Sequence, residues 1–285
     1  MTKKAICVGI NKFANYPQFA LNGCVNDAKD MASLCKTLLG FKASEVTMLT
    51  DAQATKANIM AQLKTAVTAA KGGKLNYLLF SLSSHGTQMA DTGGDEPDGM
   101  DEAFVPYDIA QKGNMWDPAR IISDDEFHDL FQQLPESVLL EVYLDTCHSG
   151  SGLRGAEFSL NAPRPRFVAP PAGELQGPVK QHAVRGFAID RAPAAAARAP
   201  KDVASARHHI LWTGCKANQT SADAYFNGRY SGAFTYYFVK TMLATQNKLS
   251  RKAVIDKVRA ELKGKFSQVP QLESNASNRQ TAFAN

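Results

Sequence analysis

The chain has 285 residues, 44% of them hydrophobic and 21% charged, which argues against a disordered chain and allows a sizeable core. The formal charge is +5, and residues 154–207 carry nine basic against four acidic side chains, accounting for the whole excess. The rest of the chain is near neutral, so a nucleic-acid-binding face on the folded body is not expected.

No stretch approaches the length of a membrane span. The apolar run at 5–10 is too short for a signal-peptide core, so an unexported, soluble protein of the cytoplasm is expected. Five cysteines, at 7, 24, 35, 147 and 215, are odd in number and form no CxxC pair. They read as reduced thiols rather than a disulfide framework.

In chain order, Ala5–Ile10 predicts a buried strand. Asn26–Leu39 predicts a helix stopped by Gly40, because its apolar residues recur at helical spacing. Glu45–Leu49 predicts a second strand. Thr55–Lys71 predicts a helix with Ile59, Leu63 and Val67 on one face, stopped by Gly72 and Gly73. Leu75–Ser83 predicts a third strand, and Asp91–Asp108 an acidic loop. Ser123 reads as the N-cap of a helix running to Leu134, with Glu126 completing a capping box. Val138–Asp145 predicts a fourth strand.

Residues 154–207 break this pattern. They hold seven of the thirteen prolines and no sustained periodicity, and predict a long mobile connection. Order returns with a strand at His209–Thr213 and helices at Ala233–Ala244 and Ser250–Lys263. Three regions result: 1–153, a linker at 154–207, and 208–285. The first and last are expected to share one domain.

Alternating strands and helices imply an α/β fold with a mostly parallel central sheet of about six strands flanked by helices. Such sheets carry their chemistry at the carboxyl ends of strands. After the third strand comes Ser83-Ser84-His85-Gly86, and after the fourth comes Asp145-Thr146-Cys147-His148. If the strands are neighbours, His85 and Cys147 emerge side by side. A cysteine needs such a base to form the reactive thiolate. The amides of Gly86 and Cys147 could then polarise a carbonyl oxygen. His148 is a weaker base candidate, since in an extended stretch it points the opposite way. A zinc site built from Cys147, His148 and His85 lacks a fourth ligand at sensible spacing.

The phrases SSHGTQ, DEPDGMDEAFVPYD, DTCHSGSG and NQTSADA…GRYSGAFTY resemble the metacaspases, particularly the short bacterial members called orthocaspases. The resemblance spans nearly the whole chain outside 154–207. It implies a caspase-like three-layer sandwich, large- and small-subunit regions, and a Cys147–His85 dyad cutting peptide bonds after Arg or Lys. It further implies a pocket for the cationic side chain from Asp27, Asp145 and Ser83. Ser84 departs from the glycine usual at its position.

Calcium enters by the same resemblance: Asp101, Asp124 and Asp125 match metal-binding carboxylates, although Arg154 stands near the place of a fourth. The sequence leaves calcium dependence open, and the chemistry itself requires no cofactor. A monomer acting on protein or peptide substrates is implied, with no nucleic-acid or membrane partner. The linker offers basic cleavage sites at Arg164, Arg166, Arg185, Arg191, Arg198, Lys201 and Arg207, so self-cleavage and a passive insertion stand side by side. The competing function is a weakly active or inactive caspase-like interaction module.

Overall fold

A computed structural model describes residues 2–91, 99–148, 163–176 and 209–283. Its centre is a six-stranded sheet. The strands, in chain order, begin with β1 (Lys3–Gly9), which is followed by helix α1 (Cys24–Thr37), β2 (Val46–Thr50) and helix α2 (Lys56–Lys71). Next come β3 (Tyr77–Ser83), β4 (Gly86–Ala90), β5 (Met100–Phe104), β6 (Gln111–Lys112), β7 (Met115–Trp116) and β8 (Ile122–Ser123). Helix α3 (Asp124–Phe131) leads into β9 (Leu139–Asp145) and the short β10 (Arg164–Pro165). The last part holds β11 (His209–Thr213), β12 (Ala222–Phe226), β13 (Arg229–Gly232), α4 (Ala233–Thr245), α5 (Arg251–Leu262), β14 (Gln271–Glu273) and α6 (Ala276–Gln280).

The sheet order is β14-β11-β9-β3-β1-β2. All neighbours are parallel except β14, which runs antiparallel to β11. Alternation along the strands explains the layering, because successive side chains face opposite sides. In β3, Leu78, Phe80 and Leu82 pack on the side of α2 and α3 with Ile59, Leu63, Phe127 and Phe131. Tyr77 and Leu79 face the other way, toward α1, α4 and α5. The molecule is therefore an α/β three-layer sandwich.

Local signals place the helix starts. The Thr55 hydroxyl accepts from the amide of Asn58, and Ser123 and Glu126 form a reciprocal capping box. The structure adds strands where an acidic loop is expected: β5 lies inside 91–108 and pairs with both β4 and β8. Period-2 alternation is hidden there by acidic residues that the fold buries, Asp101 and Glu102 among them. Within the expected mobile linker, residues 163–176 are ordered, with Arg164 and Pro165 pairing against Asp223 and Ala222. The rest of that linker, with its other basic sites, lies outside the described residues, as does the acidic stretch 92–98. Among the described residues no helix is long and apolar enough to cross a membrane, and all five cysteines are free and buried.

Candidate active site

Adjacent parallel strands bring the two strand ends together. β3 and β9 pair with Ser83 opposite Asp145, so His85 and Cys147, each two residues further on, leave the sheet side by side. Both meet the same residue of the same chain, Arg166. The amides of Gly86 and Cys147 donate to the Arg166 carbonyl oxygen at 2.9 and 3.2 Å. Two convergent N–H groups on one carbonyl are the arrangement that stabilises charge on that oxygen when the carbon is attacked. Gly86 is required for this approach, since a Cβ there would collide with the carbonyl of Cys147.

His85 is buried, and its Nε2 lies 2.7 Å from the carbonyl of Phe19, carried by a 3-10 turn at Pro17–Phe19. A carbonyl only accepts, so Nε2 carries the proton and Nδ1 is left with its lone pair. Nδ1 has no hydrogen-bond partner among the described residues. Burial pushes the His85 pKa down to about 4, against the opposing pull of the Phe19 carbonyl. The ring is thus neutral near pH 7 and able to take a proton. Phe13 and Phe19 flank it with ring centroids at 5.4 and 6.2 Å. Cys147 is fully buried, and its sulfur sits against the backbone of Ser221, whose amide and carbonyl both contact it.

The Arg166 side chain enters a fully buried acidic slot. Its Nη2 lies 2.6 Å from Asp27 and 3.0 Å from Asp223, and its Nη1 lies 3.3 Å from Asp145 Oδ1 and 3.1 Å from the Asp145 carbonyl. Three carboxylates surround one guanidinium, the planar fork that suits such bonding. Each carboxylate is itself fixed. Asp27, in the first turn of α1, accepts the Gly232 amide on both oxygens. Asp145 takes the amide and hydroxyl of Thr235 at 3.0 and 2.7 Å, in the first turn of α4, where the helix dipole favours negative charge. The Ser221 hydroxyl also donates to it. Asp223 takes the amides of Asn22 and Gly23. Burial pushes the Asp27 pKa up to about 7, with the Arg166 guanidinium pulling it down. Gly232 has no room for a side chain, since a Cβ would meet Asp145 and Arg166.

Around the bond that follows Arg166, the chain lies extended. Arg166 donates its amide to the Ser221 carbonyl at 3.0 Å, and Val168 donates to the Gly86 carbonyl at 3.0 Å. Phe167 bridges to Gly86. Residues 164–168 thus occupy the cleft as an added strand.

A caspase-domain family profile matches residues 2–281. Metacaspase-1 of Cryptococcus neoformans is 31% identical over 298 residues, covering 96% of this chain and 62% of its own length. Metacaspase-1 of Coccidioides immitis is 34% identical over 295 residues, covering 95% and 61%. Metacaspase-1A of Aspergillus fumigatus is 33% identical over 295 residues, covering 95% and 68%. The chain belongs to the metacaspases. It spans about three-fifths of the length of the first two relatives. Two solved structures share the fold. A protein from Geobacter sulfurreducens has a TM-score of 0.65 at 22% identity, covering 99% of this chain and 97% of its own. Caspase-1 from Spodoptera frugiperda has a TM-score of 0.58 at 12% identity, covering 96% and 88%.

In this metacaspase the slot gathers Asp27 and Asp145 but draws on Ser221, Thr235 and Asp223 as well. Ser83 is buried at the end of β3, opposite Asp145 in the sheet register, with its carbonyl taken by the Ile10 amide. Asp223 was missed from sequence. Its signal lay in the QTSADA phrase, which marks the family without saying that β12 turns Asp223 into the slot. Ser84, in place of glycine, is buried and donates its hydroxyl to the Val105 carbonyl at 2.7 Å, so the substitution is satisfied. His148 points away from Arg166: its ring packs edge-on to Phe104 and bonds Thr146.

Asp101 lies in β5, and Asp124 and Asp125 open α3. Carboxylates are the right donors for calcium. Among the described residues, however, no group of three or more His, Cys, Asp or Glu side chains is placed to share one ion. Arg154 and the acidic stretch 92–98 lie outside the described residues. No step below is routed through a metal.

Proposed function

We propose that this metacaspase is a cysteine endopeptidase that cuts after arginine or lysine, and that its own Arg166–Phe167 bond is among its substrates. The observation that carries the reading is Arg166 itself: its guanidinium fills the acidic slot while its carbonyl oxygen takes the amides of Gly86 and Cys147. An arginine bound in this way is bound as a substrate is bound.

The chemistry follows from the groups in place. His85 Nδ1 takes the Cys147 thiol proton, and the sulfur attacks the carbonyl carbon of the residue in the slot. The Gly86 and Cys147 amides hold the developing oxyanion. The C–N bond breaks as the imidazolium returns its proton to the leaving nitrogen, leaving a thioester on Cys147. Water, deprotonated by His85, then hydrolyses the thioester, giving a carboxylate and the free thiol.

Three buried carboxylates select a cation over a neutral or acidic side chain, because an empty or wrongly filled slot leaves their charges unpaired. Matched fluorogenic peptides ending in Arg, Lys or Asp test the reading. Arg and Lys peptides are expected to be hydrolysed and the Asp peptide spared. Cys147→Ala should abolish turnover, and His85→Ala should lower kcat by roughly 10²–10⁴-fold. Hydrolysis of the Asp peptide, or turnover that survives Cys147→Ala, sinks the assignment.

Self-cleavage is read on a gel, with the new N-terminus sequenced. A fragment beginning at Phe167, present in wild type and missing in Cys147→Ala, is expected. Parallel arms with calcium and with chelator test calcium stimulation. We also read the protein as a monomer of a reducing compartment, a reading that its five free thiols support.

A further inference from the structure

Two separate sets of contacts hold the two sides of the Arg166–Phe167 bond. Upstream, β10 and the Arg166 amide pair with Ala222, Asp223 and Ser221, and the guanidinium fills the slot. Downstream, the chain crosses the cleft through Val168, which is buried in the core cluster, and two consecutive prolines, 170 and 171, stiffen it. It then ends in a buried carboxylate. Glu174 is 1% exposed, and its Oε2 and Oε1 each accept a backbone amide at 2.7 Å, from Ala90 at the end of β4 and from Trp116 in β7. The Gly173 amide also donates to the Asn114 carbonyl at 2.9 Å.

A glutamate in a Pro-rich connection has no reason to be buried unless both oxygens are satisfied. Here the two donors come from two strands, β4, which starts at Gly86 beside the nucleophile, and β7, whose Trp116 ring nitrogen donates to Thr87 of β4. Charge-assisted bonds of this kind are the stronger class. They tie the downstream half of the segment to the wall of the site.

We propose that Glu174 is a latch: it docks residues 167–176 on the leaving-group side of the cleft, positions the Arg166–Phe167 bond for cutting, and keeps the new end at Phe167 in the cleft afterwards. This rests on the protease reading and adds regulation to it. A tethered end competes at a high effective concentration with any incoming substrate, because the short span from Phe167 to Glu174 keeps it close. The cut enzyme is therefore still restrained by its own product until that half-segment lets go. Glu174 is a positioning residue and touches no reacting atom.

Glu174→Gln is the test. The amide side chain offers one acceptor and sets a donor against a second donor, so one of the two backbone amides loses its partner. In the Cys147→Ala background, trypsin cutting at Arg166–Phe167, followed by mass spectrometry, reads docking without any activity. The double variant is expected to be cut about tenfold faster, the effect of losing one charge-assisted bond. In active enzyme, Glu174→Gln should cut its own bond more slowly while the apparent KM for an Arg-ending peptide falls several-fold, the gain carried by KM. A merely structural glutamate would lower the melting temperature without lowering KM. Val168→Ser loosens the same half-segment through its apolar contact and should shift both readouts in the same direction. Unchanged trypsin cutting and unchanged KM in both variants overturn the latch. A wild type that hydrolyses no peptide overturns the protease reading instead, and the trypsin arm still decides docking.

Discussion

At the scale of single residues, the proposed selectivity of the slot rests on three carboxylates in one buried volume. Nη2 of the bound arginine takes two of them, Asp27 and Asp223. A lysine ammonium is a point charge that cannot reproduce the fork. Asp223→Asn keeps the size and an acceptor but removes one charge. It is expected to lower kcat/KM for Arg peptides by about 10–100-fold, on the scale of one hydrogen bond to a charged group. Lys peptides should lose less, so the Arg-to-Lys ratio falls, and an unchanged ratio removes Asp223 from the specificity set. The pH dependence follows from Asp27, whose pKa burial raises to about 7. The ionised form pairs with the cation, so kcat for Arg peptides, which reports the filled slot, should fall as pH drops through about 7, and the limb in kcat/KM should lie higher because the empty slot lacks the guanidinium that pulls Asp27 down. His85, held down to about 4 by burial, is neutral across that range and does not produce this limb. A pH–rate profile of wild type against Asp27→Asn checks it, since a limb that persists in the variant belongs to another group.

At the scale of elements, a second buried ion pair holds the sheet to its helices. Glu141, in β9, is fully buried and takes Arg251 Nε and Nη2 at 2.9 and 3.0 Å. It also accepts from Trp212 in β11 and Tyr77 in β3. Arg251, which opens α5, reaches on to Thr281 and Ala282 and lies over the Phe283 ring. One carboxylate therefore joins three central strands to α5 and the C-terminal segment. Arg251→Met leaves that charge buried without its cation and is expected to cost about 3–5 kcal/mol. Urea unfolding measures it, and a loss below about 1 kcal/mol would mean that water reaches Glu141 in the variant. Helices α1 to α5 and the parallel strands were legible because each carries its own periodicity, while the five-residue α6 is too short to show one. β4, β5, β8, β12 and β13 were not, because short antiparallel strands draw their identity from partners distant in sequence.

At the scale of the whole molecule, the sheet is shared between the two sides of the linker. β9 lies before Arg166 and β11 after it, and they pair in parallel over five residues, from His209 against Leu140 to Thr213 against Leu144. β10 also pairs with β12 across the cut. Cleavage after Arg166 is therefore expected to leave one particle. The cut protein should elute at the size of the uncut protein under native conditions and separate into two fragments only in denaturant. Separation without denaturant would show that the shared sheet is too weak to hold the halves.

The strand-end pair His85 and Cys147 was readable from the chain because both residues sit at fixed offsets from strand ends, where local pattern and register agree, whereas Asp27, in the first turn of α1, and Asp145 were marked for the slot only by the resemblance of their phrases to the metacaspases. Arg166 was one basic residue among several in a segment without periodicity, and nothing local distinguishes it from Arg164. Asp223 and Glu174 were equally silent. Their roles arise from burial against strands far away in sequence, and burial is a property of the folded volume rather than of neighbouring residues. The sequence by itself determined the layers, the strand ends and the pairing of Cys147 with His85 that is proposed as nucleophile and base. Only the tertiary structure decided which arginine fills the slot, which third carboxylate meets it, and what holds it there.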